Sequence, residues 1–210
     1  MNKGVLITLE GPDACGKTTQ CNYLEKLLTD KGYKVTRSRE PGGTEVAEKL
    51  RAILLQESLT PMTEMFLFFA CRAENIEKII KPAINRGEVV IFDRFIDSSV
   101  AFQGYGRGLM DQVYELKSML FERTKVRIDH TLFFDITQEE SLRRLKKRSG
   151  EDRFELENME FKDRVFKGYQ EVLDDVGHRI SKIDANGTIE EVKRQIFDWV
   201  EKFTEQYPLL

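Results

Sequence analysis

Residues Gly11-Pro12-Asp13-Ala14-Cys15-Gly16-Lys17-Thr18 fit the pattern G-x-x-x-x-G-K-[ST], and only Glu10 separates them from the apolar run Val5-Leu6-Ile7-Thr8-Leu9. No other feature of the chain narrows its fold as much. The pattern describes a loop between a strand and a helix whose glycines let backbone N–H groups close on phosphate oxygens. Lys17 adds an ammonium, and Thr18 a hydroxyl suited to Mg²⁺. Gly11, Pro12, Asp13, Ala14, Cys15, Gly16, Lys17, Thr18 and Thr19 are therefore the candidate nucleotide phosphate site, with Lys17 as its first catalytic candidate. The plain alternative is a glycine-rich turn carrying a surface lysine. It needs the strand before the loop and the helix after it to be coincidence.

A loop of this kind works inside an α/β sheet, and the remaining pattern agrees. Short β-branched runs alternate with amphipathic stretches, which predicts a five-stranded parallel sheet flanked by helices. Strands are expected at Val5–Glu10, Lys34–Arg39, Val89–Asp93, His130–Asp135 and Arg179–Asp184. Helices are expected from Gly16 to about Lys31 and over Glu45–Leu55, Met62–Arg86 (with Pro82 near its end) and Asp97–Gln103. Four more are expected over Asp111–Thr124, Gln138–Lys147, Glu157–Val176 and Glu190–Glu205, the last capped by Thr188. With 210 residues and no linker or repeat, the chain reads as one domain over 1–210.

Charge and cysteine usage exclude several classes. The chain has 33 basic and 36 acidic residues for a net charge of −3, which leaves no footprint for bulk nucleic-acid or membrane binding. The longest uncharged apolar run, Met65–Cys71, is too short to span a bilayer, and the first residues lack the layout of an export signal. A cytoplasmic location is expected. Cys15, Cys21 and Cys71 have no paired spacing and read as reduced thiols, with a regulatory role open for Cys15 at a helix N-terminus.

In parallel α/β sheets, functional residues gather at the carboxyl ends of strands. Here those ends carry the phosphate loop, Arg39-Glu40-Pro41-Gly42-Gly43 and Asp93-Arg94-Phe95. Asp93 stands where an acidic residue can hold Mg²⁺ directly or through water; an ordinary helix cap is the alternative. Arg94 suits a bidentate grip on phosphate, or else a structural ion pair.

Taken together, Gly11-x-Asp13-x-x-Gly16-Lys17-Thr18-Thr19, Arg39-Glu40-Pro41-Gly42-Gly43-Thr44, Phe68-x-x-x-Arg72 and Asp93-Arg94-Phe95-x-x-Ser98-Ser99-x-x-Phe102-Gln103-Gly104 resemble the thymidylate kinase family over essentially the whole chain. The resemblance implies a P-loop nucleoside monophosphate kinase fold that moves the γ-phosphoryl group of ATP-Mg²⁺ onto dTMP, usually as a homodimer. It implies dTMP contacts from Asp13, Glu40, Arg51, Phe68, Arg72, Arg94, Ser99, Phe102 and Gln103, and metal contacts from Thr18, Asp93 and Glu155. Phe68 and Arg72 lie four apart on a helix, so ring and guanidinium can face one cavity, although a core ring beside a surface charge fits that spacing equally. Such a donor suits O4 of thymine and clashes with the amino group of cytosine. Phe95 and Phe102 depart from the family, where tyrosines are frequent.

Arg51 resembles the family arginine opposite Arg94, against the alternative of a solvated helix charge. Asp13 resembles the acid near the sugar 3′-hydroxyl, against that of a turn-forming side chain. The run from Arg143 to Glu155 would ordinarily be a solvated face. Phosphoryl transfer needs more cations than Lys17, so residues 146–156 are expected to act as a lid bringing in Arg148 and Arg153. Uncharged Pro12, Ala14 and Cys15 match the family branch with lid arginines. The loop Asp184-Ala185-Asn186-Gly187 either passes the adenine or is a simple turn. Rival readings are a kinase for another acceptor and a nucleotide-dependent switch, which needs no second phosphate site.

Overall fold

The computed structural model describes residues 4–147, 153–175 and 179–209. Its sheet is made of β1 (Val5–Glu10), β2 (Val35–Arg39), β3 (Val89–Asp93), β4 (His130–Asp135) and β5 (Ile180–Asp184), all parallel in the order β2-β3-β1-β4-β5. β1 is central, and register places Leu9 and Arg39 on either side of Asp93, so three strands end at one level. Observed strands differ from those expected by at most one residue at an end.

The sheet is covered on both faces, and alternate residues of β1 serve different layers. Val5, Ile7 and Leu9 pack with α1 (Lys17–Asp30) through Leu24 and Leu28, and with α9 (Ile189–Gln206) through Ile196 and Val200. Leu6, Val90 and Phe92 face the other way, toward Ile76, Ile80, Ile96 and Val113. Between α1 and β3 lie α2 (Glu45–Gln56), α3 (Pro61–Asn75) and α4 (Lys81–Asn85). After β3 come α5 (Ile96–Ser99) and α6 (Met110–Thr124), and α7 (Gln138–Leu145) and α8 (Met159–Asp175) follow β4. Val176, where the sequence ends α8, lies outside the described residues.

Two helices contain π-helical turns that sequence periodicity does not reveal. Ile76–Ile80 joins α3 to α4, so the expected long helix is continuous but widened just before Pro82. The wider turn gives the proline ring room against the preceding carbonyls. Val100–Gly106 extends α5 in the same geometry and carries Phe102 and Gln103. Such turns gather at functional sites because they re-aim side chains.

Threonines begin four helices: Thr44, Thr60, Thr137 and Thr188 each accept from a backbone N–H one turn on. Thr188 forms a full capping box, its backbone N–H donating to Glu191 Oε2 at 2.7 Å. Thr188→Ala should therefore lower the unfolding free energy by about 1 kcal/mol, read as a lower denaturant midpoint at unchanged slope. An unchanged midpoint would mean that the cap contributes nothing.

Candidate active site

The carboxyl ends of β1, β2 and β3 open into a cavity of about 530 Å³. Its first wall is the phosphate loop. Gly11 (φ 143°) turns the chain so closely past β4 that a Cβ there would lie 2.6 Å from the Phe134 carbonyl oxygen. Gly16 (φ 94°) starts α1 with no side-chain cap and no acid in the first turn, leaving N–H groups and the positive end of the helix dipole open to an anion. Ala14 holds φ 57°, a strained conformation for a residue with a Cβ.

Lys17 is buried and donates to the carbonyl oxygens of Gly11 (2.8 Å) and Pro12 (2.7 Å), with Cys15 Sγ at 3.3 Å. Asp13, Ala14, Gly16, Lys17, Thr18 and Thr19 line the cavity, whereas Gly11, Pro12 and Cys15 do not. Thr18 Oγ1 donates to Asp93 Oδ2 at 3.1 Å, so a hydroxyl and a carboxylate sit together at the phosphate end. Glu155 lines the same cavity. Among the described residues no three His, Cys, Asp or Glu side chains cluster tightly enough to cage a metal. Two oxygens beside a phosphate cradle suit Mg²⁺, which keeps waters and phosphate oxygens in its shell.

Arg94 faces the loop from β3. It adopts φ 67°, and Nη1 donates to Gly11 O (3.0 Å), Ser98 Oγ (3.1 Å) and Tyr169 Oη (2.6 Å), while Nη2 pairs with Asp13 Oδ1 at 2.5 Å. Burial disfavours its charge, but Tyr169, Asp13, Asp93 and Glu10 outweigh that and hold it firmly protonated. Glu10 lies directly behind, accepting from the Phe95 N–H (2.7 Å) and from Ser98 Oγ (2.6 Å). Burial first, and then Asp97, push its carboxyl up to about 7.

The far end of the cavity is built differently. Arg72 lies between the Phe69 and Phe95 rings, 5.0 and 5.2 Å from their centroids. Its Nε donates to Glu40 Oε2 at 2.9 Å and its Nη2 to the same oxygen at 2.7 Å and to Phe95 O at 2.9 Å. Burial pushes Glu40 up to about 7 against the pull of Arg72. Among the described residues, Arg72 Nη1 and Ser99 Oγ have no partner, although both are buried and both residues line the cavity. Phe68 and Phe102 stand edge-on to Phe154, each at 5.8 Å. Arg51 donates from Nη1 to Pro41 O at 2.7 Å and lines the same cavity.

The structure thus brings Asp13, Lys17, Thr18, Glu40, Arg51, Phe68, Arg72, Asp93, Arg94, Ser99, Phe102, Gln103 and Glu155 to one cavity. Arg148 lies outside the described residues. Arg153 is not placed at the phosphate end: Nη1 bonds Glu64 Oε2 at 2.8 Å and Nε bonds Leu54 O at 2.9 Å. The pull is physical, since Glu64 is a carboxylate with no solvent contact and draws the nearest guanidinium. Arg144 of α7 does line the cavity, and it donates to Glu140 and to the carbonyls of Asn186 and Gly187. The Asp184–Gly187 loop is therefore bonded to a lining residue without lining the cavity itself.

Sequence reasoning missed Glu10, Glu64 and Tyr169 and gave Arg144 no role. Glu10 was detectable as a lone charge ending an apolar strand. Glu64 falls four residues before Phe68, on the stripe that also carries Arg72. Nothing separates Tyr169 from any other apolar position of an amphipathic helix.

Residues 9–196 match the model of the thymidylate kinase family. The chain is 40% identical over 200 residues to a thymidylate kinase from an Exiguobacterium strain, covering 93% of each chain. It is 41% identical over 207 residues to one from Thermoanaerobacter pseudethanolicus, covering 96% of this chain and 99% of the relative. Among solved structures, a thymidylate kinase from Ehrlichia chaffeensis matches with a TM-score of 0.76 at 32% identity, over 95% of this chain and 99% of that one.

Glu10 supplies a test of the site's electrostatics. Because its folded-state pKa lies above the ordinary 4.5, the folded state binds more protons, and stability falls as pH rises from about 4.5 through about 7. Glu10→Gln removes that dependence. The variant's stability relative to wild type should rise by on the order of 1–3 kcal/mol between pH 5 and pH 8, by denaturant titration. A difference independent of pH would contradict the assignment.

Proposed function

The chain belongs to the thymidylate kinase family, and we infer from the site geometry how its residues divide the work of moving the γ-phosphoryl group of ATP to dTMP, giving dTDP and ADP. The carrying observation is that one cavity has two unlike ends. One presents a helix N-terminus, Lys17 and Arg94; the other presents a half-satisfied arginine within an aromatic frame.

The donor phosphates lie against the open N–H groups of α1, with Lys17 exchanging its loop carbonyls for their oxygens. Arg94 and Arg51 hold the acceptor phosphate from opposite sides, Arg94 giving up Asp13 in doing so. A phosphate monoester has its second pKa near 6, so it arrives as a nucleophilic dianion and needs no general base. One oxygen of the acceptor forms the new P–O bond, and the bond from the γ-phosphorus to the β,γ-bridging oxygen breaks with its electrons going to ADP. Alignment and charge neutralisation do the catalysis. Thr18 and Asp93, with Glu155 of the same cavity as a further candidate, would hold Mg²⁺, which when bound offsets negative charge on the donor phosphates.

At the base end, Phe68 packs on the pyrimidine and Arg72 Nη1 donates to its O4. Ser99 and Gln103 border the same ring, and Phe102 fills the region beneath the sugar. The thymine methyl adds only about 0.8 kcal/mol of burial, so dUMP should follow dTMP closely. Three free buried cysteines fit a reducing compartment, and no helix among the described residues is long and apolar enough to cross a membrane. A cytoplasmic homodimer is proposed, with exposed Ile53, Met62, Phe66 and Met119 on α2, α3 and α6 as the apolar surface available for pairing.

Coupled ADP release with dTMP, dUMP, dCMP and AMP in parallel tests the reading. We expect dTMP first and dUMP within about tenfold of it. dCMP and AMP should fall far behind. Lys17→Ala should lower kcat a hundredfold or more with an unchanged circular dichroism spectrum, the loss typical of one transition-state cation. Near-normal turnover in that variant, or equal use of all four acceptors, would overturn this division of roles.

A further inference from the structure

Glu64 is the most heavily bonded carboxylate behind the cavity, and no step of the phosphoryl transfer uses it. It stands on α3 one turn before Phe68, is fully buried, and does not itself line the cavity. Gln103 Nε2 donates to its Oε1 at 2.9 Å. Arg107 reaches both of its oxygens, with Nη2 to Oε2 at 2.9 Å, and Arg153 Nη1 reaches Oε2 at 2.8 Å. Arg107 in turn pairs with Glu157 at 2.5 Å, and the Arg153 guanidinium lies 4.3 Å from the centroid of the Phe154 ring.

This geometry constrains two neighbours. An ionised carboxylate only accepts, so the end of the Gln103 amide facing Glu64 must be its NH₂, which leaves the carbonyl as the end offered to the cavity. The segment carrying Phe154, the ring against which Phe68 and Phe102 stand, is tied to α3 through Arg153 directly and through Arg107 and Glu157.

We propose that Glu64 is a positioning residue for the acceptor base: it fixes the Gln103 amide as a hydrogen-bond acceptor toward a pyrimidine N3–H and seats Phe154 as the wall of the base site. Arg153 serves that seat and makes no contact with the transferring phosphoryl group. The proposal rests on dTMP being the acceptor. Thymine carries a proton on N3 and cytosine does not, so the fixed amide rejects cytosine independently of Arg72. With Glu64→Gln the facing amide can donate as well as accept, and Gln103 is no longer held one way round.

Steady-state kinetics on the full chain test this, with dTMP and dCMP as acceptors for wild type and Glu64→Gln. We expect KM for dTMP to rise, and the dTMP-to-dCMP ratio of kcat/KM to fall, each by about tenfold or more, the effect of one misdirected hydrogen bond to a charged group. KM for ATP should stay within about twofold, because the donor site is untouched. Wild-type KM for dTMP with a wild-type ratio would overturn the proposal, as would an equal rise in both KM values. Should Glu64→Gln fail to fold, Arg153→Met carries the test. The expected result is a raised KM for dTMP with kcat within about threefold of wild type. A hundredfold loss of kcat at unchanged KM for dTMP would instead put Arg153 on the phosphoryl group and overturn the proposal. Wild type lacking activity on dTMP would fail the underlying reading, whereas wild-type activity with silent variants fails this inference alone.

Discussion

Burying a carboxylate is costly unless donors meet it, and among the described residues the glutamates Glu10, Glu40 and Glu64 are buried around one cavity. Each therefore fixes the groups that surround it. Glu10 holds the Phe95 N–H and Ser98, behind Arg94. Glu40 holds two nitrogens of Arg72 and leaves the third facing inward. Glu64 holds Gln103 and two further arginines. Removing one member of such a pair typically costs about 3–5 kcal/mol, which is why these side chains keep a single orientation without a ligand to hold them. Preorganisation of this kind lowers the entropy lost when substrates align.

The phosphate end works by the opposite rule. There the α1 N-terminus is uncapped, Ala14 and Arg94 hold left-handed backbone angles, and Lys17 rests on carbonyls that compete weakly with a polyphosphate. Strain and unmet donors are tolerable there if, as proposed, the anion that satisfies them is the substrate. In the proposed reading base selection and phosphate binding are thus separated in space, with fixed charge pairs at one end and open donors at the other.

The sheet was legible because buried parallel strands read as short β-branched runs, and all five emerged within a residue of their observed ends. Thr188 emerged as a cap for the same local reason. The π-helical turns did not, because they depend on Pro82 and on packing against α8 that no periodicity encodes. Within the site, the placement of motif residues at one cavity was readable, since the strand end itself fixes where they point. Arg153 was not. A basic residue in a charged run has no local mark showing whether it meets a phosphate or a buried glutamate far away in sequence, and Glu64 decides that here. Glu10 and Glu64 escaped notice because single acids in apolar surroundings reveal their partners only in three dimensions.

The proposed base recognition rests on Arg72 being held by Glu40, which leaves Nη1 buried and without a partner among the described residues. A crystal structure of the chain with dTMP bound tests that most directly. Arg72 should keep its bonds to Glu40 and Phe95 O and place Nη1 about 2.9 Å from thymine O4, with the dTMP phosphate between Arg94 and Arg51. A thymine seated elsewhere, with Arg72 Nη1 still unpartnered, would contradict it.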